Sequence, residues 1–240
     1  MTILCLDSSA LREWERIVAG PVTAGAPTRR RAAWPLRFAR LAAQGLLVTL
    51  LPFLVLVKVA VFLYTREGCA TMLALAGGTA CTAAVVTAYA ALVWHRVTGR
   101  VRLALVARRF ALPLVVAYCG YAVIYLSSAN AKSERVRAYY ASLHPLLRVA
   151  LSTLILADRD LVVTDLARGP EDYAAMGLAP NDGSLHYVQP DGYAHATDLR
   201  TAGRSELKTA LVRVYFWSMG FVTLRHVGTG DHLHVELPLR

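Results

Sequence analysis

Cysteine is missing from the second half of this 240-residue chain: Cys5, Cys69, Cys81 and Cys119 are the four it has. Residues 128–240 therefore have neither a disulfide nor a cysteine nucleophile. They must be held by an apolar core, with a bound metal as the other available staple. Acidic residues are scarce in the first half. Residues 1–127 hold 14 Lys/Arg against 4 Asp/Glu, whereas residues 128–240 hold 12 of each, so the whole formal charge of +10 belongs to the first half. No aromatic residues interleave with Arg29-Arg30-Arg31, which argues against a nucleic-acid partner. Internal repeats and low-complexity tracts are also lacking.

What the chain has in excess is apolar sequence. It is 56% hydrophobic, with a mean hydropathy of +0.43. The apolar residues gather in three runs, over 41–64, 70–94 and 110–127, each near the roughly 20 residues a helix needs to cross a hydrocarbon core. The first begins too far into the chain for a cleavable signal peptide, and two more follow. Arginines 12, 16, 29, 30, 31, 37 and 40 precede the first run, and arginines 96, 100, 102, 108 and 109 lie between the second and third. Residues 65–69 hold one arginine and one glutamate. By the positive-inside rule the N-terminus is cytoplasmic and everything after residue 126 lies outside, on a multi-pass cytoplasmic-membrane protein. Lys58 is expected to snorkel to the outer interface. Gly77-Gly78 suggests close helix packing.

The expected organisation is a basic cytoplasmic arm over 1–40, three transmembrane helices over 41–128, a linker or stalk over 129–144, and a small α+β domain over 145–240. Within the arm, 11–18 reads as a short amphipathic helix and 20–35 as loop. Pro145 can open a helix over 146–157, and 161–164 reads as a buried strand. Ser205 can cap a helix reaching Met219, with Leu207, Ala210, Leu211 and Val214 on its core face and Gly220 ending it. Residues 221–226 and 232–237 read as two strands joined by the turn Gly228-Thr229-Gly230-Asp231.

Six of the seven histidines fall in the second half. Ser184-Leu185-His186, then Ala196-Thr197-Asp198, then Asp231-His232-Leu233-His234 bring imidazoles and carboxylates into one region. Two histidines and a carboxylate form the mixed N/O donor set that Zn²⁺ takes in sites with an open fourth position. In the last strand, alternation puts His232, His234 and Glu236 on one face and Leu233, Val235 and Leu237 on the other.

These residues resemble the zinc-dependent D-Ala-D-Ala carboxypeptidases and their VanY-like and phage-endolysin relatives, over about residues 145–240. Thr164-Asp165-Leu166-Ala167-Arg168 resembles that family's Thr-Ser-x-x-Arg segment. Ser184-x-His186 and Ala196-x-Asp198 resemble the two ends of its Ser-x-His-x-x-Gly-x-Ala-x-Asp motif, and Asp231-x-x-His234 its final carboxylate-x-x-His. The resemblance implies His186, Asp198 and His234 as zinc ligands, Asp231 as general base and proton donor, and Arg168 as the cation on the scissile carbonyl. It implies the peptide bonds of peptidoglycan stem peptides as substrate.

Two departures stand out. The chain places Asp198 twelve residues after His186, five more than the motif, and the excess falls in 187–193, where Pro190-Asp191-Gly192 signals a turn. His195 in place of His186 is the alternative ligand. The base is aspartate, where many relatives have glutamate, which leaves Glu236 as the other candidate. His232 and Ser184 are further candidates for contact with substrate, and Arg200 and Arg204 either bind a substrate carboxylate or form surface ion pairs. The expected fold is thus α+β: three transmembrane helices followed by an exported zinc-peptidase-like domain with an antiparallel sheet. The partners are membrane lipids and peptidoglycan. A non-catalytic wall- or metal-binding module and a holin-like membrane protein are the alternatives.

Overall fold

The computed structural model describes residues 8–18, 33–100, 102–175, 177, 179, 183–228 and 230–239. The chain forms two compact units, Met1–Leu47 and Val48–Arg240. The first holds helix α1 (Ser8–Val18) and the beginning of α2 (Ala33–Thr65). Helix α1 starts three residues ahead of the expected 11–18. Helix α2 starts well inside the segment read as arm and loop. Pro35 does not prevent this, because first-turn residues have no intrahelical acceptor for their N–H. Residues 19–32, which include Arg29-Arg30-Arg31, lie outside the described residues.

In the second unit, α3 (Thr71–Thr98) is followed by α4 (Leu103–Val106), a π-turn (Ala107–Ala111) and α5 (Leu112–Ile124), which run on without a break. Arg37–Thr65, Thr71–Thr98 and Leu103–Ile124 are each long and apolar enough to cross a membrane. The third begins seven residues before the expected 110, because Arg108 and Arg109 interrupt hydropathy but are good helix formers. Its π-turn sits just before Pro113, and Leu112 N–H donates to the Ala107 carbonyl. The widened turn makes room for a proline ring that has no N–H to give the preceding turn. Helices α2 and α3 approach closely at Gly78. A Cβ there would stand 2.7 Å from the Leu56 carbonyl oxygen and 3.0 Å from Ala60 Cβ. Thr82 Oγ1 also donates to the Pro52 carbonyl, at 3.3 Å.

Residues 129–144 are not a linker. They form a 3₁₀ turn (Ser128–Asn130), α6 (Glu134–Ala138) and a second 3₁₀ turn (Tyr139–Ser142), folded against the rest of the unit. Buried Asn130 donates to the carbonyls of Arg159 and Leu161, and the Tyr140 hydroxyl donates to Ala122 at the end of α5. Helix α7 (Pro145–Ala157) follows, opened by Pro145 as expected, with His144 Nδ1 accepting from Leu146 N–H. Every residue from Pro145 to Leu154 is buried, so α7 is enclosed on all sides instead of showing a single apolar stripe. One continuous core runs from Leu56, Val61 and Val115 through Leu147 and Leu151 to Leu199, Leu233 and Val235. Lys58 stays exposed at the edge of this core, and its Nζ donates to the Ser218 carbonyl at 2.8 Å.

The remaining elements are β1 (Val163–Asp165), α8 (Pro170–Ala175), β2 (Ala196–Arg200), α9 (Glu206–Met219), β3 (Val222–His226) and β4 (His232–Glu236). They make a four-stranded antiparallel sheet in the order β1-β2-β4-β3. Helix α9 has the expected caps: Ser205 Oγ accepts from Lys208 N–H, and Gly220 takes a left-handed φ of 106°. Its orientation is the reverse of expectation. Thr209, Val212, Phe216 and Met219 face the core, and the stripe read as the core face is exposed. The chain is α+β with three long apolar helices and a small antiparallel sheet.

Replacing Gly78 by leucine should destabilise the α2–α3 contact by about 1–3 kcal/mol through overpacking. Gly120→Leu on α5, where a Cβ meets nothing within 4 Å, is the control that should not. Thermal unfolding of both variants in the same detergent checks this.

Candidate metal centre

The alternation of β4 decides which side chains can meet. Leu233 and Val235 are buried toward the helices, so His232, His234 and Glu236 point to the opposite side. Pairing sets Asp198 beside His234, Arg200 beside His232 and Ala196 beside Glu236. On the other flank of β4, His226 stands beside His232. His186 arrives from a turn in which Ser184 Oγ accepts from His186 N–H (3.3 Å) and from the Tyr173 hydroxyl (2.6 Å). Ser184 thus shapes the turn that carries His186. Together with Arg168, these groups line a cleft of about 480 Å³.

Asp198 is the centre of the cleft. Its Oδ1 lies 2.8 Å from His234 Nδ1 and 3.4 Å from His186 Nε2, and its Oδ2 accepts from Arg168 at 2.6 Å. Arg168 Nε also donates to Asp165 Oδ2 at 2.6 Å. Burial by itself would raise the Asp198 carboxyl, but the adjoining His186 and His234 imidazoles and the Arg168 guanidinium outweigh it. They hold the group well below the usual carboxylate range. Burial opposes charge on His234 too. The hydrogen bond and charge of Asp198, with Glu236 behind them (Nε2···Oε2 3.4 Å), nevertheless raise its imidazole above the ordinary value.

The donor set fits a metal ion. His186 Nδ1 is bonded to the Leu166 carbonyl, which fixes its proton on Nδ1 and leaves the Nε2 lone pair aimed at a carboxylate oxygen. Among the described residues that Nε2 is buried with no hydrogen-bond partner. Two lone pairs 3.4 Å apart repel unless a proton or a cation lies between them. His186, Asp198 and His234 offer ligand atoms all within 4.8 Å of one another. Nitrogen and carboxylate donors of this kind suit zinc and several other divalent ions.

The same alternation removes two other candidates. Asp231 shares the parity of Leu233 and lies outside the cleft, where Thr201 Oγ1 donates to it at 2.6 Å and Arg225 pairs with it at 3.0 Å. His195 shares the parity of Leu199 and is completely buried on the core side. It cannot replace His186. Instead, His195 Nε2 lies 2.9 Å from Asp191, whose carboxylate is 3.7 Å from His144 Nε2, while Thr71 Oγ1 contacts that same nitrogen at 3.0 Å. The enlarged loop supplies Asp191. A Gln189–Tyr193 turn with Gly192 at φ 85° absorbs the added residues, so His186 and Asp198 still meet.

Arg204 is ion-paired with Asp158, as a structural arginine would be, and Arg200 is exposed at the end of β2. His226 and Tyr173 are cleft residues that the motif reasoning passed over. The His226 ring stacks on His232 (4.8 Å, 23°), and the Tyr173 ring carries the Arg168 guanidinium at 5.7 Å. Strand alternation extended across the hairpin identifies His226 from sequence. Nothing local marks Tyr173.

The pH dependence of stability should change sign with metal. In metal-free protein, the raised His234 value contributes stability that is complete below about pH 6.5. That contribution is lost as pH rises through the folded-state value, at about 1.4 kcal/mol per unit of separation. The depressed Asp198 value contributes above about pH 4 and is lost in acid. Metal-free protein should therefore melt higher at pH 6 than at pH 8. With excess Zn²⁺ the order should reverse, because a ligand histidine must be unprotonated, and His186→Ala should abolish the zinc response. Calorimetric melts with and without chelator test all three.

No family model, curated protein or solved structure matches this chain.

Proposed function

We propose that the chain is a membrane-anchored, metal-dependent peptidase that cleaves peptide bonds of peptidoglycan stem peptides outside the cytoplasmic membrane. The observation that carries this reading is the convergence of His186, Asp198 and His234 around one carboxylate oxygen in an open cleft, with Arg168 and Glu236 at its edges. The charge distribution supports the topology: the basic residues lie before the first span and between the second and third. On this reading, three crossings leave the cleft on the side where peptidoglycan is. The motif resemblance supports the substrate class.

His186, Asp198 and His234 would hold the ion, zinc by the resemblance. When bound, such an ion polarises a carbonyl and makes a neighbouring water more acidic. The remaining work belongs to the chain. Glu236 is on the same side of β4 as His234 and is partly exposed, so its carboxylate is the proton acceptor for the attacking water. It returns that proton to the leaving amine nitrogen. This role falls to Glu236 because Asp231 is held by Thr201 and Arg225 on the other side of the strand. Arg168, fixed by Asp165 and stacked over Tyr173, offers a permanent cation to the oxygen that gains charge.

One observation favours a second reading, a wall- or metal-binding module without turnover. Arg168 already donates to both Asp165 and Asp198, so it must exchange a bond before it can serve a substrate.

The test uses the full chain in lipid nanodiscs with purified muropeptides and Zn²⁺. Glu236→Gln should lower turnover by about 10²- to 10⁴-fold, as loss of a general base does, while keeping the metal. Asp231→Asn should stay within roughly threefold of wild type, the change expected of a group outside the reacting atoms. Wild-type protein that binds zinc and releases no product establishes the binding module instead.

A further inference from the structure

Helix α9 is apolar on two sides, and the protein covers only one. Val212, Phe216 and Met219 enter the core, whereas Leu207, Leu211, Val214 and Trp217 form a second stripe along the helix and are 70%, 59%, 57% and 71% exposed. An apolar face opposite the core face of a helix needs protein or lipid to cover it. Four large side chains in a row on one free face also exceed the scattered apolar residues of an ordinary surface.

The contacts of α9 locate this face. Lys58 lies in the Arg37–Thr65 span, seven residues before its end, or about 10 Å along the helix axis. Its ammonium donates to the Ser218 carbonyl in the last turn of α9, where the helix dipole favours a cation. Gly220, the cap of α9, sits against Val61 of the same span, close enough that a Cβ would lie 3.1 Å from Val61 Cγ1. The C-terminal end of α9 therefore stands at the depth of the last turns of a membrane-length helix. Phe62, exposed on that helix, lines with Val61, Met219 and Gly220 the groove where α2 meets the end of α9. At this end the stripe finishes in tryptophan, the residue that favours the boundary between headgroups and acyl chains.

We propose that α9 lies in the interfacial layer of the bilayer, with Leu207, Leu211, Val214 and Trp217 inserted among the acyl chains. The occupant of the face is lipid, recognised through apolar contact. The inference rests on the membrane spans and is independent of the peptidase reading. It also orients the cleft. Arg225 of β3 pairs with Glu206 of α9 from the side of the sheet opposite to His232, His234 and Glu236. With α9 against lipid, the cleft opens away from the membrane.

The test is depth-dependent quenching on the full chain, with Trp14, Trp34 and Trp94 replaced by phenylalanine so that Trp217 alone emits. The protein is placed in phosphatidylcholine–phosphatidylglycerol vesicles with or without brominated acyl chains. Emission should fall roughly twofold or more with bromolipid, most strongly with bromines near the glycerol end, as expected for shallow insertion. Aqueous acrylamide should have little effect. Quenching by acrylamide and not by bromolipid overturns the proposal in favour of a solvated face. Quenching by neither overturns it in favour of a protein partner or a second copy. If the triple replacement does not fold, photo-crosslinking from benzoylphenylalanine at position 211 in the otherwise native chain decides. A lipid adduct supports the proposal, and a protein adduct or none overturns it.

Discussion

The burial of α7 is the constraint on which the rest of the second unit depends. A thirteen-residue helix whose first ten residues are all buried must have neighbours on every side, and no single layer can supply them. The long helices cover one part, residues 128–143 another, and α9 with the sheet the remainder. Full burial of a leucine is worth about 2 kcal/mol, so Leu146, Leu147, Leu151 and Leu154 strongly favour this assembly. Several of the polar groups that enter with them find partners. Arg148 Nη1 donates to the Val123 carbonyl in the last turn of α5, and the Tyr215 hydroxyl donates to the Ala150 carbonyl. Cations thus close the C-terminal ends of two helices, Arg148 on α5 and Lys58 on α9. Both bonds join the long helices to the α+β part.

This arrangement gives the cleft a rigid floor. With the helices covering one face of the sheet, the polar alternates of β2 and β4 have only the other face. A buried carboxylate such as Asp198 is costly to desolvate unless it is paired on every lone pair. Arg168 and His234 meet part of that need, a cation held with His186 would meet the rest, and Asp165 and the Leu166 carbonyl in turn fix Arg168 and His186. The cluster is therefore held from behind by the Asp165 carboxylate at the end of β1 and by the backbone of the following turn. Side chains that bind or polarise a ligand need support of this kind. The His144–Asp191–His195 group is a different structure. Its two histidines are buried against Tyr64 and Thr71 at the turn between α2 and α3, its Asp191 is exposed, and it ties the enlarged loop to the long helices.

Much of this was legible in the chain. The three apolar runs, the Pro145 start of α7, the Ser205 and Gly220 caps of α9 and the last hairpin are all signalled by local chemistry, and each element formed there. The meeting of Asp198 with His234 follows from strand pairing once the hairpin is recognised, whereas His186 comes in from a turn. Asp231 and His195 show where motif reasoning and backbone geometry part company. Asp231 is next to His232 and His195 is three residues before Asp198, and side chains an odd number of strand positions apart point to opposite faces. Spacing to a motif cannot overrule that alternation. The segment 129–144 was misjudged for another reason: its polar composition suggests solvent, but its few apolar and hydrogen-bonding residues, Asn130, Val136, Tyr140 and Leu143, are the ones that dock.

By itself, then, the sequence determined the three long apolar helices, the Pro145 start of α7 and both ends of α9, because capping residues, proline and hydrophobic period act within a few positions of the residue that carries them. It also determined which side chains of β4 share a face. Tertiary structure alone decided which of α9's two apolar stripes enters the core and that residues 129–144 pack instead of spanning a gap. It also brought Asp191 to two buried histidines and joined Lys58 to Ser218 across 160 positions. These outcomes depend on which surfaces compete for the same buried volume. That competition is settled only when the whole chain has collapsed, so no local pattern can encode it.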